Sequence, residues 1–105
     1  MIAIKHQYGP DKNEMLSSLN RVKEQLKNAG VSSLALFGPT ARDEAGPKSD
    51  VDVMVELSVD PDIFNIGKIQ DILEEAIPFK VDLVLKDSLQ AEIRSQVEKD
   101  AVYVI

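Results

Sequence analysis

The sequence lacks cysteine and tryptophan, contains a single histidine, and has aromatic residues at 5% of its 105 positions. Without cysteine, the chain cannot form disulfides, zinc–thiolate centres or cysteine nucleophiles, so its fold depends on packing. We interpret the lone histidine, His6, as a surface residue without a catalytic role. No apolar run is long enough to span a bilayer, and the first residues lack the apolar region of a signal peptide. We therefore expect a cytoplasmic protein with no membrane partner.

Basic residues are outnumbered, with 12 Lys and Arg against 18 Asp and Glu, which gives a net charge of -6. Such a chain lacks the attraction to phosphate backbones on which loose nucleic-acid binding depends, so we expect no direct DNA binding. A protein partner is easier to accommodate. The length and the 44% hydrophobic content suit one small domain with one core, so we assign residues 1–105 to a single domain.

Helical and strand patterns alternate along the chain, which predicts an α/β domain. Apolar residues at helical spacing predict helices over residues 11–29, 63–77 and 88–98. Short apolar or alternating runs predict strands over residues 31–37, 50–57, 80–85 and 101–104. Gly38 ends the first strand, and Pro39 is suited to the first turn of a short helix that follows it.

Two aspartates lie two residues apart in the second predicted strand. Because strand side chains alternate, Asp50 and Asp52 project to one face while the valines beside them point to the core. Carboxylates held this close repel each other, and aspartate is a poor strand residue. A divalent cation such as Mg²⁺ accepts these oxygen ligands and offsets the repulsion. Taken alone, the pair is explained more simply as an exposed polar face.

Two further features favour the metal interpretation. A glycine turn and helix start, Gly38 to Arg42, precede the pair, and a third aspartate, Asp82, interrupts a later apolar strand. Convergent groups of this kind indicate a site for a metal-bound nucleoside triphosphate. Glu56 shares the face of the aspartate pair but lies at the far end of its strand, so we expect it to face solvent.

Three motifs of the sequence resemble those of the minimal nucleotidyltransferases, a branch of the DNA polymerase β-like superfamily. The family pattern is Gly-Ser-x-Ala-Arg-Gly, then Ser-Asp-x-Asp-Leu-x-Val, then a third Asp on a later strand. The matching segments are Gly-Pro-Thr-Ala-Arg-Asp at 38–43, Ser-Asp-Val-Asp-Val-Met-Val at 49–55 and Val-Asp-Leu at 81–83. The element order fits as well, so the resemblance covers almost the whole chain. It implies a small mixed β-sheet flanked by helices.

The resemblance implies two-metal nucleotidyl transfer from ATP, with pyrophosphate as the leaving group. Asp50 and Asp52 would bind one or two Mg²⁺ ions that clamp the triphosphate. Asp82 would complete the site of the ion that activates the attacking hydroxyl. These three aspartates are therefore the expected catalytic and metal-binding residues.

The resemblance also implies a set of nucleotide contacts around the glycine turn. Gly38 would let the backbone approach the phosphates, and free amides at the start of the next helix would face them. Further contacts are expected from Thr40, Arg42 and Ser49. The role of Arg42 is open between bracing the carboxylate strand and reaching a phosphate.

Two positions depart from the family pattern. Pro39 stands where the family has serine, which removes both a hydroxyl and a backbone N–H from the phosphate turn. The loss of one hydrogen bond to a charged group weakens binding by about 10- to 100-fold. Thr40 offers a substitute hydroxyl. Asp43 replaces the usual glycine and adds a negative charge near the phosphates.

In the family, the minimal form works beside an all-helical toxin of the HEPN type. The resemblance implies an antitoxin that transfers AMP from ATP to a tyrosine hydroxyl of such a toxin. Two alternatives are a degenerate relative that neutralises its partner by binding alone and a free-standing transferase for a small molecule. Apolar residues on the last helix and strand would permit homo-oligomers, although core packing explains them more simply: Ile93, Val97, Val102 and Val104.

Overall fold

The computed structural model describes residues 9–105, and His6 lies outside this range. Four strands form one mixed sheet, namely β1 Val31–Phe37, β2 Val51–Leu57, β3 Val81–Leu85 and β4 Val102–Tyr103. Their order across the sheet is β3-β2-β1-β4. Strand β1 is antiparallel to β2 and to β4, whereas β2 and β3 are parallel. The predicted mixed sheet flanked by helices is confirmed.

The helices are α1 Lys12–Arg21, α2 Lys23–Asn28, α3 Gly38–Ala41, α4 Ile63–Ala76 and α5 Ala91–Asp100. Aspartates cap two of the amphipathic helices, α1 and α4. The Asp11 carboxylate accepts the Glu14 N–H at 3.0 Å, and Asp62 accepts the Asn65 N–H at 2.8 Å. Each cap satisfies a backbone donor that the first helical turn leaves unpaired. Within residues 9–105, no helix is long and apolar enough to cross a membrane.

One face of the sheet, the core face, carries the main hydrophobic core. Helices α1, α2 and α4 cover it with fully buried leucine and isoleucine side chains. Ile69 and Leu73 belong to the apolar stripe predicted for the helix over residues 63–77. The principal residues of this core are Leu19, Leu26, Leu34, Leu36, Val51, Val53, Val55, Ile69 and Leu73.

Two predicted helices differ from the structure at their boundaries. The prediction of one helix over residues 11–29 is wrong at Val22, where φ of -106° and ψ of 10° separate α1 from α2. A β-branched side chain is disfavoured inside a helix because it crowds the preceding turn. The last helix begins at Ala91 instead of residue 88, because Lys86–Ser88 form a 3₁₀ turn.

The opposite face of the sheet, the site face, is more covered than the alternation in β2 predicts. Met54 is 2% exposed, and Ala35, its register partner on β1, is fully buried. Helix α5 contacts β1 and α3, so it covers the middle of this face. The apolar residues of the C-terminal segment divide accordingly. Val102 and Val104 pack against the core, as predicted, while Ile93 on α5 remains 49% exposed.

Candidate active site

The site face brings together the aspartates that the motifs single out. Asp52 on β2 lies directly opposite Asp82 on β3, and Phe37, the last residue of β1, is its partner on the other side. Neighbouring strands are about 4.8 Å apart, so the Asp52 and Asp82 side chains are adjacent on one face. Asp50 precedes β2 by one residue and is exposed. Parallel pairing of β2 with β3 thus places a residue 30 positions away beside the Asp-x-Asp pair.

Burial and this crowding of carboxylates together raise the pKa of Asp52. Burial is the main cause that raises the pKa of Asp52 from 3.8 to about 6, and the negative charges of Asp82 and Asp50 raise it further. The positive charge of Arg42 acts in the opposite direction. A cation is bound favourably at such a site, because its positive charge offsets the repulsion between the half-buried carboxylate and the two others.

The pKa of Asp52 leads to a prediction for the metal-free chain. Its folded-state pKa of about 6 lies above the ordinary value of 3.8, so the folded chain binds more protons in this window. This residue therefore destabilises the fold as pH rises from about 4 to 6. Allowing for solvent screening, we expect Asp52→Asn to stabilise the chain by about 1 kcal/mol at neutral pH.

Thermal unfolding in EDTA, at neutral pH and near pH 4, measures this effect. The stabilisation by Asp52→Asn should shrink toward zero at the lower pH, because the wild-type carboxyl is then protonated. Glu56→Gln is the matched control on the same strand face, since its carboxylate pairs with Lys86. An equal gain at both pH values would contradict the assignment of the effect to the charge of Asp52.

Gly38 packs directly against the Asp52 carboxylate. Its φ of 73° lies in the left-handed region, which glycine adopts without a steric penalty. A Cβ at this position would collide with the Asp52 Oδ2 atom and would stand 3.2 Å from Asp52 Cγ. Glycine is therefore needed here both for its backbone conformation and because the Asp52 carboxylate occupies the position that a Cβ would take.

The short helix α3 carries the residues predicted to contact a nucleotide. Pro39 lies in its first turn, as predicted. Thr40 is fully buried, and its hydroxyl has no hydrogen-bond partner among residues 9–105. A buried unpaired hydroxyl costs about 1–3 kcal/mol, so it is a group that a ligand or a water molecule would satisfy. Its predicted contact with the nucleotide stays a prediction.

Arg42 does not hydrogen-bond to the strand that carries the aspartates but pairs with two other carboxylates. Its Nε donates to Glu44 Oε1 at 2.9 Å, and one terminal nitrogen donates to Asp100 Oδ2 at 2.8 Å. These carboxylates raise the pKa of Arg42 through their hydrogen bonds. The guanidinium thus ties α3 to the end of α5 and is 40% exposed. Its contact with a phosphate remains a prediction.

Ser49 is engaged in the turn that leads to the aspartates. Its hydroxyl oxygen accepts the Gly46 N–H at 2.9 Å, and its own N–H donates to the Gly46 carbonyl at 3.0 Å. These bonds close the turn over residues 46–49 and so define where Asp50 begins. The accepting role leaves the Ser49 hydroxyl proton available for a nucleotide contact, which stays a prediction.

Sequence reasoning did not identify three features around the site. Asp100 pairs with Arg42 across 58 positions, and no local pattern signals it. Asp43 has a φ of 62°, a conformation that favours glycine, and this explains the glycine of the family pattern. The departure from that pattern at position 43 was the feature of the sequence that could have predicted the strained backbone. Glu56 faces solvent, as expected, with its side chain 37% exposed, but it also accepts from Lys86 at 3.3 Å because the 3₁₀ turn brings the lysine to the end of β2.

The donor set fits a magnesium ion that is held mainly by its substrate. Within residues 9–105, no three Asp, Glu, His or Cys side chains converge closely enough to enclose a metal ion. Mg²⁺, however, is usually bound by one or two carboxylates, with phosphate oxygens and water completing its octahedron. The adjacent Asp52 and Asp82 supply such a pair.

Comparisons with known proteins agree with this geometry. The nucleotidyltransferase domain family model matches residues 18–104 of the chain. MJ0128 of Methanocaldococcus jannaschii, a candidate protein adenylyltransferase, is 36% identical over 94 residues, which cover 88% of this chain and 96% of the relative. Protein adenylyltransferase MntA of Thermococcus cleftensis is 35% identical over 92 residues, with 87% and 93% covered. The chain belongs to the minimal nucleotidyltransferase (MNT) family.

Solved structures share the fold. A minimal nucleotidyltransferase superposes with a TM-score of 0.78 at 24% identity, covering 90% of this chain and 96% of that chain. A toxin–antitoxin structure with AMP-PNP has a TM-score of 0.64 at 20% identity and covers 90% and 72%. A complex of MNT antitoxin with tri-AMPylated Shewanella oneidensis HEPN toxin has a TM-score of 0.63 at 19% identity and covers 87% and 71%. The nucleotidyltransferase fold predicted from the motifs is confirmed.

Proposed function

We propose that this chain is an antitoxin that transfers AMP from ATP to a tyrosine hydroxyl of a HEPN-type toxin in the cytoplasm, and that the reaction depends on Mg²⁺. The observation that carries the proposal is the meeting of Asp52 and Asp82 beneath the turn at Gly38. It is supported by the adenylyltransferase names of the relatives and by the toxin and AMP-PNP complexes among the structural neighbours.

The transfer reaction balances as a displacement at phosphorus. The acceptor oxygen forms a bond to the α-phosphorus, the bond from that phosphorus to the β-bridging oxygen breaks, and pyrophosphate leaves while the hydroxyl proton passes to solvent. Mg²⁺ held by Asp50, Asp52 and Asp82 would supply positive charge that polarises the α-phosphate. Gly38 lets the turn lie directly against the Asp52 carboxylate, and the Thr40 hydroxyl has no hydrogen-bond partner among residues 9–105.

The structure favours a protein acceptor over a small molecule or a nucleic acid. A cavity of about 440 Å³ lies between α1 and residues 76–79, and none of the proposed site residues lines it. At the site itself, Asp50 and Asp82 are exposed to solvent, so an acceptor group on another protein can reach them. The net charge of -6 disfavours a polynucleotide substrate.

The experiment that tests the proposal uses ATP labelled at the α-phosphate. The chain is incubated with the purified HEPN-type toxin of the same genome and Mg²⁺, and label is located by mass spectrometry of the toxin. We expect AMP on a tyrosine and no transfer in EDTA. A complex that forms but carries no label under any condition would contradict the proposed reaction.

A second function, neutralisation by binding alone, is favoured by two observed features. Pro39 removes a backbone N–H from the first turn of α3, and Asp43 adds an exposed negative charge directly after that helix. Both weaken binding of a triphosphate. Loss of toxin inhibition when the chain binds but cannot transfer would exclude this function, whereas inhibition without any label would establish it.

The backbone at Asp43 supports a further prediction. Its left-handed φ of 62° strains an L-residue that is not glycine, so Asp43→Gly should stabilise the chain by about 0.5–1 kcal/mol. The same change removes a negative charge near the proposed phosphate site and should lower the KM for ATP by about 2- to 5-fold. Asp43→Asn is the matched control, because asparagine tolerates this conformation but carries no charge. It should lower the KM without the full gain in stability.

A further inference from the structure

The first two turns of α4 present large apolar side chains to solvent. Phe64 is 83% exposed and Ile63 is 80% exposed, the highest values among the large hydrophobic residues described. The positions of Ile63, Phe64 and Gly67 on a helical projection lie within about 100° of one another, with the glycine between the two side chains. We call these three residues the α4 patch. The opposite face of the same helix is buried through Ile69 and Leu73.

Gly67 is the second, independent feature of the α4 patch. Glycine in the middle of a helix is destabilising relative to alanine. A Cβ at Gly67 would meet no atom of residues 9–105 within 4 Å, and its φ is ordinary, so nothing in this part of the chain requires glycine there. A small residue between two exposed apolar side chains permits close approach of another backbone. Close packing of a partner surface would account for the glycine at position 67.

The charge around the α4 patch indicates which kind of partner it can bind. Acidic residues flank it on the preceding loop and continue along the exposed side of the helix: Asp60, Asp62, Asp71, Glu74 and Glu75, against Lys68 as the one base of α4. A second copy of this chain would place acids against acids across a two-fold interface. Anionic lipid and nucleic acid are disfavoured by the same charge. A protein with an apolar groove and a basic rim is complementary.

We propose that the α4 patch is the surface on which the protein partner docks, through an apolar groove with a basic rim. This inference rests on the proposed function, because the partner assigned to the surface is the HEPN-type toxin. The patch lies beyond the C-terminal end of β2, whereas Asp52 lies near its start. The separation along the strand is about 16 Å. Helix α4 covers the core face, whereas Asp52 lies on the site face, so a toxin docked on the α4 patch leaves the site open for ATP.

The test measures the Kd of the purified HEPN-type toxin from the same genome for variants of this chain. Ile63→Ser with Phe64→Ser should weaken binding at least 30-fold, as loss of a central apolar anchor does. Ile93→Ser is the matched control, since Ile93 is a half-exposed apolar residue on α5, and it should change the Kd less than 3-fold. At saturating toxin, the double variant should keep the wild-type rate of AMP transfer, so KM rises while kcat does not change.

Gly67→Leu separates docking from folding. Leucine is a strong helix former, so this variant should melt about 4 °C above the wild type. Its side chain should nonetheless weaken toxin binding at least 10-fold by blocking close approach. A stabilised chain that binds worse is not explained by misfolding. Unchanged affinity in both this variant and the double serine variant would overturn the docking surface.

Three other outcomes would each identify which part of the proposal is wrong. A chain that is dimeric by sedimentation, and that becomes monomeric in the double serine variant, would make a second copy the occupant and overturn the proposal. Failure of the wild type to bind the toxin would refute the assigned partner and the docking surface together. Binding that depends on the α4 patch but yields no AMP transfer would support the docking surface and contradict only the proposed reaction.

Discussion

The double variant Asp50→Asn with Asp52→Asn should lose AMP transfer by at least about 10³-fold, which corresponds to about 4 kcal/mol of transition-state stabilisation. Asparagine keeps the shape of the side chain but removes the negative charge that holds a cation. The loss should appear in kcat and in kcat/KM together, because positive charge at the α-phosphate matters most in the transition state. Steady-state transfer of labelled AMP to the toxin measures it.

Binding of the toxin supplies the control for this variant. The two aspartates lie at the start of β2, about 16 Å along the strand from the end that leads to α4, so the Kd for the toxin should change less than 3-fold. Circular dichroism and thermal unfolding would show an intact fold, with a stability equal to or above that of the wild type, since charge crowding at Asp52 is relieved. Transfer at the wild-type rate by this variant would remove the aspartates from the mechanism.

Gly38→Ala should be the most damaging single change in the turn over the carboxylates. The left-handed φ of 73° costs an L-residue about 1–2 kcal/mol, and the added methyl group would press on the Asp52 carboxylate. We expect a loss of about 2 kcal/mol in the free energy of unfolding, which lowers the melting temperature by about 10 °C. AMP transfer at a temperature where the variant is folded should also fall, because Asp52 is displaced.

Gly46→Ala is the matched control for Gly38→Ala. Gly46 is also in a loop near the site, but its φ is ordinary and a Cβ there would meet no atom of residues 9–105 within 4 Å. It should change the melting temperature by less than about 2 °C. A similar loss in both variants would mean that general loop stiffness, and not the contact between Gly38 and Asp52, determines the effect.

Much of the architecture follows from local patterns in the sequence. Side-chain periodicity reveals the helical stripe that includes Leu73, the apolar run from Val31 to Phe37 and the alternation around Asp52, because each depends on the burial of one face. The glycine at position 38 and the aspartates could be identified as site residues for a related reason. Each residue type is costly at its position unless a turn or a bound cation compensates.

Features that depend on contacts between residues far apart in the chain are seen only in the tertiary structure. The register of β2 against β3 places Asp82 beside Asp52, and no feature near either residue encodes that alignment. Pairing of Arg42 with Asp100 and burial of Met54 both result from where α5 packs. The sequence by itself determined which residues are chemically able to bind a metal-bound nucleotide. Only the fold determined which of them meet, because strand register and helix packing are set by long-range burial, to which local periodicity is insensitive.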